Sequence, residues 1–94
     1  MPESEPVPDP VGQLEFEAAR DAVLAVLAFY TEQIDAEERR PAPDADVIAR
    51  LAKNRIVYGA VLQELQSADA AGVAEITVRA YTDLARLEAG GAPR

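Results

Sequence analysis

A chain of 94 residues without a histidine or a cysteine has few ways to do chemistry. Lacking histidine, it loses the commonest general base and the commonest metal ligand together. Lacking cysteine, it has no thiol nucleophile, thiolate zinc site or disulfide. Carboxylates, arginines and tyrosines remain. Glu15, Glu17, Asp21, Glu32, Asp35, Glu37 and Glu38 fall in one stretch, whereas the middle of the chain offers only Glu64 beyond its cap. Carboxylate metal sites in helical bundles need acids projecting inward from facing helices, and acids drawn from one segment do not meet that need. Arg20, Arg50, Lys53 and Arg55 read as solvated cations or local ion pairs, such as Asp46 with Arg50 four residues on. The expectation is a protein with no catalytic residues, cofactor or metal, acting by binding another macromolecule.

The elements that would carry such a surface follow from periodicity. Residues 1–12 hold Pro2, Pro6, Pro8 and Pro10 with Glu3, Glu5 and Asp9, a composition that resists helix and predicts a disordered or extended acidic arm. From about Leu14 to Arg40, Phe16, Ala19, Val23, Val26, Leu27, Tyr30 and Ile34 recur at three- and four-residue spacing, which predicts an amphipathic helix. Glu15 and Glu17 would sit in its first turn and Arg39 and Arg40 in its last, both favourable to the helix dipole.

Pro41-Ala42-Pro43 ends that helix, and Asp44 or Asp46 can cap the next. The second helix runs to about Ser67, with Val47, Leu51, Tyr58, Val61, Leu62 and Leu65 on one face. Asn54 lies in the same stripe, and its placement beside Lys53 and Arg55 predicts a water-facing edge position. After a connection through Gly72, a third helix spans Val73 to about Ala89, with Val73, Ile76, Ala80, Leu84 and Leu87 inward and Gly90, Gly91 and Pro93 stopping it. The fold class expected is all-α: an antiparallel helical hairpin plus a third helix, a three-helix bundle in one domain over residues 13–90, with 91–94 a flexible tail. Tyr30, Tyr58, Tyr81, Phe16 and Phe29 are expected to anchor the core.

Apolar residues make up 49 per cent of the chain, yet about two-fifths of them are alanines, so the core is small. Between Ala22 and Tyr30 the first helix is apolar around most of its circumference, which predicts burial on more than one side. The surplus face, Leu24, Ala28 and Phe29 flanked by Glu17, Asp21 and Glu32, is covered either by the other two helices or by another chain, and in the second case it is the candidate interface for a protein partner or a second copy. The net charge of -8 is concentrated in the first forty residues, which reads as a solvated acidic surface or as a basic protein partner's site and makes nucleic acid an unfavourable partner. That nine-residue run is far short of the roughly 20 needed to span a bilayer, and no secretory signal is evident at the start. A cytoplasmic location, with no membrane partner, is the expectation.

Residues 68–81, Ala-Asp-Ala-Ala-Gly-Val-Ala-Glu-Ile-Thr-Val-Arg-Ala-Tyr, carry one motif. Together with their flanks, residues 64–83, they resemble the helix-turn-helix signature of transcription regulators, and Ala71-Gly72-Val73 followed by Thr77-Val78-Arg79 is similar to the second cyclin-like repeat of general transcription factor B. The resemblance implies close packing at Ala68, a turn at Gly72 and a core filled by Ala71, Val73, Val78 and Tyr81, with Arg79 and Thr77 as the DNA contacts. Against the pattern, Ser67 stands where an apolar residue is usual, and the outer face would present Arg79 against Glu75 and Asp83. All-helical chorismate mutases are similar in size and helix content and clamp a dicarboxylate with arginines and a lysine. Here Arg20 lies in a polar stripe, and the later part of the first helix has no lysine. The leading expectation is a non-catalytic interaction module, an antitoxin-like inhibitor or accessory subunit, with a helix-turn-helix regulator or a structural homodimer as alternatives.

Overall fold

The computed structural model describes residues 10–91, which form three helices: α1 (Pro10–Glu38), α2 (Ala45–Leu65) and α3 (Ala70–Arg86). α1 is the hub, packing along both partners, while α2 and α3 meet each other far less. Tyr30 faces Tyr58, and the hydroxyl of Thr31 accepts from Arg55 at 3.2 Å, so α2 runs antiparallel to α1. α3 starts beside Glu15 and Ala18 and ends near Tyr30, returning parallel to α1. The result is the expected three-helix bundle, in an up-down-up arrangement.

Its core follows the predicted stripes. Ala19, Val23, Val26, Tyr30 and Ile34 are buried on α1, Val47, Leu51, Tyr58, Val61 and Leu65 on α2, and Val73, Ile76 and Ala80 on α3, with Leu87 just beyond it. Phe16, Leu27, Leu62 and Leu84 are partly buried against them. Fully enclosed Ala19 and Ala80 carry only a methyl group each and so leave little room between backbones.

The boundaries differ from expectation at several points. α1 begins at Pro10, so residues 10–12, expected in the arm, are helical; proline is tolerated in a first turn because its missing N–H has no partner there in any case. The remainder of the expected arm, and residues 92–94, lie outside the described residues. This earlier start moves Glu15 and Glu17 out of the first turn, and the end at Glu38 leaves Arg39 and Arg40 beyond the last, so neither pair caps the dipole as expected. α3 begins at Ala70, with Asp69 as its cap accepting the Gly72 N–H at 2.8 Å. Gly72 is thus helical rather than the turn residue. At the far end α3 widens into a loose turn, Leu87–Gly91, where Gly90 takes a left-handed φ of 88°.

The α1–α2 turn is held by a residue to which the sequence reading gave no role there. Glu37 is 3 per cent exposed, and its carboxylate accepts from the Asp44 backbone N–H at 2.9 Å and from Arg40 at 3.2 Å. Asp44 in turn caps α2, accepting from the N–H groups of Asp46 at 2.9 Å and Val47 at 3.3 Å.

Candidate functional site

Two surfaces flank α3, one polar and one apolar. The polar one lies where α2 and α3 diverge across Tyr30 of α1. Three-to-four-residue spacing puts Asn54, Val57 and Tyr58 on the side of α2 facing α3, and Arg79, Asp83 and Arg86 on the side of α3 facing α2. Together with Tyr30 and Leu87 they line an open-sided cavity of about 280 Å³. Inside it the Tyr58 hydroxyl donates to Oδ2 of Asp83, while Arg86 donates to Oδ1 at 2.9 Å. The Arg79 guanidinium lies 5.5 Å from the centroid of the Tyr58 ring, a cation–π contact. The Asn54 side chain lies beside Tyr30 in the same lining.

Both phenols are held in their protonated form. Burial, followed by the hydrogen bond to Asp83, pushes Tyr58 well above the usual tyrosine range, with Arg79 opposing. Burial and then the charge of Asp83 raise Tyr30, against Arg86 and the Asn54 side chain. Asn54 is half-buried at the rim of this open-sided cavity, close to Tyr30.

The apolar surface lies on the other side of α3. Glu15, Ala18, Val73, Ala74, Thr77 and Val78 line a largely apolar cavity of about 280 Å³, and Glu75 and Arg79 join Ala74 and Val78 in an adjoining hollow. Val78 is 66 per cent exposed and Tyr81 is 53 per cent exposed, so neither fills the core as expected. Only Val73, of the four residues that the helix-turn-helix pattern would bury, is covered; Ala71 is exposed as well. The reason is geometric: α1 covers the stripe through Val73, Ile76 and Ala80 and only borders the stripe through Ala74, Val78 and Tyr81, which no described element covers.

The candidate interface on α1 divides. Leu24 and Ala28 are exposed along with Glu17, Asp21 and Glu32, forming an acidic outer face, whereas Phe29 is half-buried with its ring edge-on to Tyr30 at 6.4 Å. Arg79 and Thr77 lie on opposite flanks of α3: Arg79 stacks on Tyr58, and the Thr77 hydroxyl donates to the Val73 carbonyl at 2.8 Å. Among the described residues no three carboxylates gather closely enough to hold a metal ion, and no helix is long and apolar enough to cross a membrane. Comparison with protein-family models, curated proteins and solved structures gives no match to this chain.

Proposed function

We propose that this chain is a non-catalytic interaction module, of the accessory or inhibitor-subunit kind, that captures a basic amphipathic helix of a partner protein along the α1–α3 groove. The observation that carries the reading is the second apolar stripe of α3. Ala74, Val78 and Tyr81 recur at i, i+4 and i+7, the spacing of a buried face, yet they are exposed. A helix laid along them would fill the groove at Ala18 and Val73 with its own apolar anchors. Charge favours a basic occupant, since Glu15 and Glu75 border the groove against Arg79 alone, and α1 carries seven carboxylates against the single Arg20.

Affinity capture from the native host, followed by titration of the purified partner, tests this. Val78→Asp is expected to abolish binding while Leu24→Asp on the outer face of α1 leaves it intact. Unchanged binding by Val78→Asp overturns the reading. Loss with Leu24→Asp alone transfers the interface to the acidic outer face, and a light-scattering mass of two chains that Val78→Asp halves makes the occupant a second copy.

A further inference from the structure

We propose that the cavity between α2 and α3 binds a small monocarboxylate with an apolar body, its carboxylate held by Arg79 and Arg86. This site opens between α2 and α3 and the helix-binding groove between α1 and α3; Arg79 borders both the site and the hollow that adjoins the groove. Arg79 makes no ion pair or hydrogen bond among the described residues; its guanidinium is braced against the Tyr58 ring with its donor edges unspent. Arg86 spends one nitrogen on Asp83 and keeps its remaining donors. A planar guanidinium already fixed in place loses little freedom on taking up a carboxylate fork.

Charge and shape narrow the ligand. Arg79 and Arg86 against Asp83 leave one net positive charge on the cavity, which a monoanion neutralises, whereas a phosphate dianion would also meet the Asp83 carboxylate. The site stands out in a chain of net charge -8, where a basic spot is the exception. Its remaining walls include Val57 and Leu87, so part of the lining suits hydrocarbon. A volume of about 280 Å³ is at the lower limit of small-molecule sites, fitting a ligand of about a dozen heavy atoms. The neighbouring Tyr30 hydroxyl and Asn54 amide can orient the bound carboxylate.

Titration of the full chain with phenylacetate and with hexanoate, followed by two-dimensional NMR, tests the assignment. At least one of the two is expected to give saturable shifts of the Asn54 side-chain amide and the Arg79 Nε–H, with a dissociation constant on the order of 1 mM. Phenylethanol, hexanol and inorganic phosphate should give none. Arg79→Gln is expected to weaken binding at least about tenfold, and Asp35→Asn on the exposed face of α1 to leave it unchanged. Three outcomes would overturn the proposal: no saturable shift with either acid up to about 10 mM, equal binding by a folded Arg79→Gln, or phosphate binding as tightly as the acids. Helicity of each variant by circular dichroism separates lost binding from lost fold, and Arg79→Lys, which keeps the charge without the fork, should bind between wild type and Arg79→Gln.

Discussion

The Tyr58 hydroxyl on α2 donates to the Asp83 carboxylate on α3, joining two helices that otherwise touch little. Both carboxylate oxygens are engaged, since Arg86 occupies the other. Tyr58→Phe keeps the ring, its packing and the Arg79 stack but removes the donor. We expect a loss of about 1.5–3 kcal/mol in urea unfolding, the range for a hydrogen bond to a charged group. A loss below about 0.5 kcal/mol would mean that the bond does not hold α2 to α3.

The same phenols set an alkaline limit on stability. Tyr30 and Tyr58 are raised above the ordinary value of 10.0, so the native state keeps their protons after the unfolded chain has begun to release them. Their contribution is complete below pH 10 and is lost as pH rises through the folded values. Denaturation midpoints should therefore be insensitive to these groups near neutrality and fall from about pH 10 upward. Tyr58→Phe should flatten that decline, and an equally steep decline in the variant would contradict it.

Glu37 should matter more than any exposed acid on α1. Its buried carboxylate satisfies the Asp44 N–H and pairs with Arg40, so Glu37→Ala leaves a backbone donor unmet at the start of α2. The expected cost is about 1–3 kcal/mol. Glu32→Ala, on the exposed face, is expected to change stability by no more than about 0.5 kcal/mol. Comparable costs for the two would show that the turn does not depend on Glu37.

Alanines in the core set how closely the helices approach. Ala80 is fully buried, and Ala80→Leu would force added methylenes into occupied space, at about 1–3 kcal/mol. Val78→Asp, two residues earlier, faces out and should leave thermal stability within about 0.5 kcal/mol of wild type. Measuring the two side by side checks which stripe of α3 is the covered one.

DNA association by α3 is expected to be absent. An anisotropy titration with a duplex at low salt is the most permissive assay, because phosphate contacts are strongest there. Saturable binding that Arg79→Gln removes would favour the helix-turn-helix alternative.

Helix number, the α2 cap as one of Asp44 and Asp46, the glycine stop beyond α3, and the stripes through Val23, Leu51 and Ile76 were legible from residue order. A helix displays its buried face as a spacing, and proline and glycine mark its ends. The polar cavity was harder to see. Asn54 and Arg79 could be singled out, but Tyr58 and Asp83 are 25 residues apart, and nothing local pairs them.

By itself, the sequence determined a histidine-free, cysteine-free all-helical chain with its acids gathered on α1. Only the tertiary structure decided which apolar residues are covered. α3 carries two stripes of similar spacing, and since α1 can lie against just one, Val73, Ile76 and Ala80 became core while Ala74, Val78 and Tyr81 became surface. Likewise, α1 as the common hub lets α2 and α3 diverge, opening the cavity in which Arg79 and Arg86 stand beside Tyr58.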